Sequence, residues 1–206
     1  MTRPAAAEPI HVWFALLRGS LALDWAGPAE ALRSANTWLA DQGEPERFVL
    51  HFTAPQPTLT SSVGLQLSGL EPLPASLPVP SWVVVVGMTG KRIDVADEDA
   101  LSLLHWLRGL RLVAGRLELL TVCAGAVLAA HAGLLAGRRA TTHHQHLDEL
   151  AAIEPRCDVV ANRVFVSDGA LYSSAGVATG MDLTLHRIAE TCGPAIAAHV
   201  AQTLVL

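Results

Sequence analysis

Short apolar runs alternate along the chain with longer amphipathic segments. The clearest run is residues 82–86, a tryptophan followed by four valines and ended by Gly87. A short run rich in β-branched residues indicates a strand buried on both faces. Similar patterns predict strands at 10–17, 47–54 and 117–122, and short strands at 159–160, 163–167 and 171–174. Val63, Leu65 and Leu67 alternate with polar or small residues, which predicts a further small strand.

Helical patterns fill most of the segments between these runs. One helix is predicted from near Pro28 to Asp41, and others at 124–132, 144–153, 179–191 and after Gly193. Another opens on the acidic residues 97–99, with an inner face of Leu101, Leu104, His105 and Leu107. This alternation predicts an α/β fold: a three-layer, flavodoxin-like sandwich with a mostly parallel sheet and helices on both faces. We expect a single domain over 1–206, with residues 1–9 as a flexible tail.

Composition narrows the function classes. The chain has 14 Lys and Arg residues against 19 Asp and Glu, a formal net charge of -5, and no basic cluster beyond two adjacent pairs. We therefore expect no direct contact with nucleic acid, which requires a clustered cationic face. The longest apolar run, 119–130, is too short to cross a bilayer, so no membrane association is expected. The three cysteines form no CxxC pair. A reduced, cytoplasmic protein without a cofactor is the expectation.

Cys123 is the first candidate for chemistry. It stands between the strand 117–122 and a helix, and is followed by Ala124, Gly125 and Ala126. Small neighbours are what a sharp strand-to-helix turn requires, and such a turn presents a nucleophile at the carboxyl end of the sheet. At a helix N-terminus the dipole is expected to lower the pKa of the thiol. The alternative is a buried, unreactive cysteine, which we expect for Cys157 and Cys192.

Asp24 is the second candidate. It follows the first predicted strand, where its carboxylate could face the strand ends and hydrogen-bond the Cys123 thiol. Its residue type and position also fit a helix N-cap. Three histidines in the segment 141–146 form a third candidate, but without a carboxylate or cysteine at ligand spacing we expect no metal. We expect His143 to turn towards the site and the other two histidines to be solvated.

These places together resemble the ThiJ/PfpI superfamily, which has the class I glutamine amidotransferase-like fold. The likeness covers residues 10–206 and rests on Asp24 four residues before Pro28, on the turn at Cys123, and on the run 132–143. Within that superfamily the segments 174–177, 180–183, 185–186 and 200–205 look most like the sensor domains of AraC-type transcriptional regulators. The resemblance implies a small-molecule effector and a homodimer. It also implies a ligand site at the sheet edge, lined by Asp24, Gly87, Met88, Cys123, Ala124, His143, Ala175 and Gly176.

Departures from the superfamily pattern weaken an enzymatic reading. Members resembling PfpI proteases have a histidine directly after the nucleophilic cysteine, and isonitrile hydratases have a threonine there, whereas this chain has Ala124. The Gly-Gly pair that forms an oxyanion pocket reads Gly87-Met88. A backbone N–H survives that change, but the Met88 side chain narrows the pocket. Cys123, Asp24 and His143 remain candidates for catalysis, with His143 as the one group that folding could bring to the thiol.

Three functions follow from the resemblance. The first is the ligand-sensing and dimerisation domain of an AraC-type regulator; no helix-turn-helix region follows Leu206, so the DNA-binding part is expected to be missing from this chain. The second is a stand-alone, cysteine-dependent enzyme resembling isonitrile hydratase, with Cys123 as nucleophile and Asp24 as acid or base. The third is a redox sensor in which Cys123 is oxidised.

Overall fold

A six-stranded sheet forms the middle layer of the computed structural model, which describes residues 8–176 and 178–205. Numbered in chain order, the strands run from edge to edge as β2 (Phe48–Thr53), β1 (Ile10–Ala15), β5 (Ser81–Val85), β6 (Leu117–Val122), β10 (Leu171–Ser174) and β9 (Phe165–Asp168). All neighbours are parallel except β9 and β10. Two small ladders lie outside this sheet, β3 (Thr58–Thr60) with β4 (Gln66–Ser68) and β7 (Arg139–Ala140) with β8 (Asp158–Val159).

The helices form two groups. In one group, α1 (Ala22–Asp41), α5 (Thr179–Cys192) and α6 (Pro194–Leu204) pack on one another; in the other, α2 (Glu98–Arg108) and α4 (Leu147–Ile153) both pack on α3 (Gly125–His131). Val83 and Val84 point to opposite faces of the central strand, and both are buried. The sheet is therefore covered on both faces, and the predicted three-layer α/β fold is confirmed.

Most predicted elements lie within two residues of the observed ones, and the exceptions have physical reasons. Helix α1 begins at Ala22, so Pro28 lies inside it rather than in its first turn. The early start is held by two backbone donors at the helix entrance: Leu21 N–H bonds the Gly87 carbonyl (2.9 Å) and Ala22 N–H bonds the Ser62 hydroxyl (3.2 Å). The segment 144–153 begins as a 3-10 turn, His144–His146, before α4.

The predicted inner face of α2 was wrong at two positions. Leu101 is 50% exposed and His105 is exposed, whereas the buried residues are Ala100, Leu103, Leu104 and Leu107. These four residues have the spacing i, i+3, i+4, i+7 that is typical of the buried face of a helix. The pattern begins at Ala100, which the sequence-based prediction did not include.

The small strand predicted around Leu65 is shifted and its burial differs from the expectation. The observed strand is β4, and Val63 and Leu65 are 74% and 56% exposed in the turn that joins it to β3. Gly64 allows that turn with its φ of +80°. The predicted tail 1–9 lies mostly outside the described residues, as do Val177 and Leu206.

A buried ion pair fastens α5 to the sheet at the end of the strands opposite Cys123. Arg187 on α5 pairs with Glu118 on β6 through Nη2 and Oε2, and its Nη1 donates to the Tyr172 hydroxyl at 2.7 Å. Its Cζ also lies 4.0 Å from the Tyr172 ring centroid. Both side chains of the pair are less than one-tenth exposed. A buried charge is stable only beside its counter-charge, because water cannot reach the group to solvate it if the partner is removed.

We predict that Arg187→Ala lowers the free energy of unfolding by about 3–5 kcal/mol, because it leaves the Glu118 carboxylate buried without a counter-charge. The matched control is Arg33→Ala, which removes an exposed pair with Glu30 on α1 and should cost less than about 1 kcal/mol. Urea unfolding of the three proteins measures both effects. Equal losses in the two variants would contradict the assignment of a buried, partner-dependent charge.

Candidate functional site

Four parallel strands end at one edge of the sheet, and the candidate residues lie in the segments that follow them. Asp24 follows β1, Gly87 follows β5, Cys123 follows β6 and Ala175 follows β10. The order of strands changes direction between β1 and β5, and ligands of open α/β sheets bind outside the carboxyl ends of strands at such a point.

The backbone at Cys123 makes the sharp turn that the sequence predicts. Its φ is +55°, a conformation that side-chain-bearing residues rarely adopt. The turn is fixed on both sides, because Cys123 N–H donates to the Ser174 carbonyl (3.1 Å) and the Thr142 hydroxyl donates to the Cys123 carbonyl (2.9 Å). Cys123 is only 4% exposed, so the turn holds the thiol inside the protein.

Asp24 lies in the first turn of α1 and is fully buried. Its Oδ2 accepts a hydrogen bond from Gly87 N–H (3.0 Å), whereas its Oδ1 has no hydrogen-bond partner among the described residues. The N-cap position of α1 is occupied by Leu21, so the N-cap reading of Asp24 is wrong. The carboxyl group instead faces the strand ends.

Gly87 is the residue around which the site closes. A Cβ atom placed there would lie 2.8 Å from Asp24 Oδ2, 3.0 Å from Ala124 N and 3.0 Å from Cys123 Cβ. Asp24 and Cys123 therefore share one small space beside Gly87, at the end of β5, the strand that lies between β1 and β6. Glycine is required at position 87 because any side chain would collide with this group.

Burial raises the pKa of both acids, and the Asp24 charge raises the pKa of the thiol further. The pKa of Asp24 is raised to about 6, chiefly by burial, against the opposing effect of hydrogen bonds from Gly87 N–H and the Cys123 thiol. The pKa of the Cys123 thiol is raised to about 12, by burial first and by the Asp24 charge second. The prediction that the helix dipole lowers the thiol pKa is wrong, because desolvation and a neighbouring carboxylate outweigh a dipole at a seven-residue helix.

His143, the predicted base, has no contact with the Cys123 thiol among the contacts of the described residues. His143 is half-buried beside Gly176, 3.3 Å from the position of a Cβ there, and its Nδ1 accepts a hydrogen bond from Gln145 N–H (3.4 Å). Its ring lies against that of His144, at a centroid distance of 4.2 Å. Burial and its histidine neighbours lower the pKa of His143, which favours the neutral imidazole.

The other two histidines of the segment differ from each other. His144 is exposed, but His146 is 4% exposed and bonds the Glu149 carboxylate (2.6 Å), so the prediction of a solvated His146 is wrong. The partner Glu149 lies three residues further along, where a helical turn brings side chains together. Over residues 8–176 and 178–205, no group of three His, Cys, Asp or Glu side chains is arranged to hold a metal ion.

The remaining predicted site residues lie at the same edge of the sheet, where the Asp24 and Cys123 side chains stay buried. Met88 and Ala175 are half-buried, and Ala124 and Gly176 are buried. Ala175 also lines a separate cavity of about 280 Å³, together with Thr141 and Thr142. The hydrogen bond from Thr142 to the Cys123 turn is the contact that the sequence did not predict, although the threonines before His143 belong to the run that carries the family resemblance.

Comparison with known proteins assigns the chain to a family. The pattern of the DJ-1/PfpI family matches residues 83–190. The chain belongs to the DJ-1/PfpI family.

Within the described residues no helix is long and apolar enough to cross a membrane.

Relatives of known name come from two functional classes. The chain is 32% identical over 197 residues to the HTH-type transcriptional regulator CdhR of Pseudomonas aeruginosa, covering 94% of this chain and 54% of CdhR. It is 35% identical over 139 residues to an isonitrile hydratase of Pseudomonas putida, covering 66% of this chain and 55% of that protein. The chain thus spans about half the length of these two relatives.

A solved structure with the same fold comes from an AraC family transcriptional regulator of Pseudomonas putida. The TM-score is 0.76 at 22% sequence identity, and the superposition covers 95% of this chain and all of that one. The likeness at this identity concerns the fold, a mostly parallel sheet flanked by helices.

We predict that Asp24→Asn stabilises the protein more at neutral pH than at pH 4. Because the folded-state pKa of Asp24 is about 6 against an ordinary 3.8, the folded state binds more protons between these values. The contribution of Asp24 to stability therefore falls as pH rises through this window, by about 3 kcal/mol in total.

The measurement is urea unfolding of both proteins from about pH 4 to pH 7. Asp41→Asn, at the exposed end of the same helix, is the matched control and should show no such pH-dependent difference. An Asp24→Asn effect that is the same at every pH would contradict a raised pKa.

Proposed function

We propose that this chain is the ligand-sensing and dimerisation domain of an AraC-type transcriptional regulator. The similarity to CdhR, which is named as a helix-turn-helix transcriptional regulator, covers 94% of this chain and 54% of CdhR. In this proposal a small-molecule effector binds this chain, and another part of the regulator contacts DNA. The net charge of -5 fits a domain that does not touch nucleic acid itself.

The observation that supports sensing over catalysis is the state of the Cys123 thiol. With a pKa of about 12 the thiol is protonated at neutral pH, whereas the thiolate is the nucleophile. One backbone donor of the predicted oxyanion pocket is engaged, since Gly87 N–H bonds Asp24 Oδ2. Cys123 is only 4% exposed, which opposes direct access of a substrate to the sulfur.

The proposal includes a homodimer. Three exposed apolar side chains, Leu23, Val63 and Leu65, belong to two segments joined by the hydrogen bond from Ala22 N–H to the Ser62 hydroxyl. Exposed apolar patches of this kind mark interaction surfaces in soluble proteins. A second copy of the chain is the partner that we propose for this patch.

A cysteine-dependent enzyme resembling isonitrile hydratase is the second candidate. It is favoured by the 35% identity to such an enzyme and by the placement of Asp24 beside Cys123. In that reading the thiolate adds to the isonitrile carbon and water resolves the thioimidate. Oxidation of Cys123 as a redox signal would need the same thiolate, and the high thiol pKa opposes both.

The test incubates the protein and its Cys123→Ala variant with an alkyl isonitrile and measures the formamide product. We expect both proteins to give the background rate. Light scattering of the same preparation at micromolar concentration should report twice the chain mass of 21.8 kDa. Formamide production that Cys123→Ala abolishes would overturn the sensor proposal in favour of the hydratase, and a monomer would overturn the dimer.

A further inference from the structure

We propose that a small organic anion binds in the cavity beside Thr142, with Arg163 as the residue that recognises its carboxylate or phosphate group. The cavity measures about 280 Å³ and lies between the segment before α4, the loop before β9 and the start of α5. It has room for about nine water molecules at ~30 Å³ each, which suits a small metabolite rather than a peptide.

The charge of the lining selects an anion. Among the nine residues that line the cavity, Arg163 is the one with a permanent charge, and none is Asp or Glu. Acidic residues outnumber basic ones in the chain, 19 to 14, yet none of them lines this cavity. The guanidinium group of Arg163 enters no ion pair described for residues 8–176 and 178–205, unlike those of Arg139 and Arg187.

Three exposed residues with hydrogen-bond donors line the same cavity. They are Arg163, Asn162 and His144, and none of them forms a side-chain hydrogen bond to another described residue. A carboxylate or phosphate offers several acceptor oxygens, and a guanidinium binds such groups through two parallel hydrogen bonds. Leu147, Val164 and Ala175 supply an apolar wall for the rest of the molecule.

A larger cavity elsewhere does not fit this chemistry. It measures about 540 Å³ and is lined by Lys91 and Arg92, but also by the carboxylates of Asp94, Asp148 and Glu149. Fixed negative charges on three sides oppose an anion there. Arg92 is therefore a matched control, a cavity-lining arginine in a mixed-charge setting.

The cavity shares a wall with the Asp24–Cys123 site. Thr142, itself buried, is one of its lining residues, and the hydroxyl of Thr142 donates to the carbonyl of Cys123 at 2.9 Å. A ligand that shifts Thr142 therefore acts on the strained turn at Cys123 without entering the closed space around the thiol. The inference rests on the proposed sensor function in one respect, that the bound anion is treated as the effector.

The test is calorimetric titration of the protein with succinate and, separately, with inorganic phosphate, at constant ionic strength because exposed charges are screened by salt. Succinamide, the uncharged analogue of succinate, is the ligand control. We expect at least one of the two anions to bind and succinamide not to bind; the anion that binds identifies the head group as carboxylate or phosphate.

Arg163→Gln should weaken anion binding by about tenfold or more, whereas Arg92→Gln should leave it unchanged. Absence of binding by both anions, equal binding of succinamide, or a loss in Arg92→Gln rather than Arg163→Gln would each overturn the site. The two proposals fail separately. Turnover of an isonitrile would contradict the sensor function, but anion binding could still be measured. Anion binding that Arg163→Gln leaves unchanged would contradict this site and not the sensor function.

Discussion

The shared burial of the Asp24 carboxyl group and the Cys123 thiol limits the chemistry that this fold can support. Asp24 Oδ2 and Cys123 Cβ lie within about 3 Å of one point beside Gly87, Asp24 held by a helix start and Cys123 by a turn with positive φ. Removing both from water and placing them together disfavours the second negative charge. At neutral pH the pair therefore carries one charge, on Asp24, and the thiol keeps its proton.

Holding this pair in place determines much of the surrounding structure. The Gly87 amide, which an acyl-transfer enzyme would leave free for an oxyanion, is bonded to Asp24. The Gly87 carbonyl in turn receives Leu21 N–H and so sets the start of α1. Thr142 and Ser174 fix the Cys123 turn from the opposite side. The same scaffold that presents a nucleophile in an enzyme thus forms a closed, hydrogen-bonded contact at this edge of the sheet.

The sequence predicts the layers and the turn at Cys123 because these depend on local pattern. Alternating runs define the strands, and the small residues 124–126 permit a sharp turn. Strand order and long-range pairs are not local. The pairing of Arg187 with Glu118, 69 residues apart, and the donors around Arg163 appear only when the chain is folded. The predicted direction of the thiol pKa shift was wrong for the same reason. The start of a helix after Cys123 can be predicted from the sequence, whereas the burial of the thiol depends on long-range packing.

At neutral pH the Cys123 thiol stays protonated because it is buried beside Asp24. An ultraviolet titration of the thiolate tests this in a variant carrying Cys157→Ala and Cys192→Ala, with and without Asp24→Asn. We predict that Cys123 ionises only well above its ordinary pKa of 9.0, and that Asp24→Asn lowers its pKa without returning it to that value, since burial is the larger cause. A thiolate already present at neutral pH, or a thiol pKa indifferent to Asp24→Asn, would contradict it.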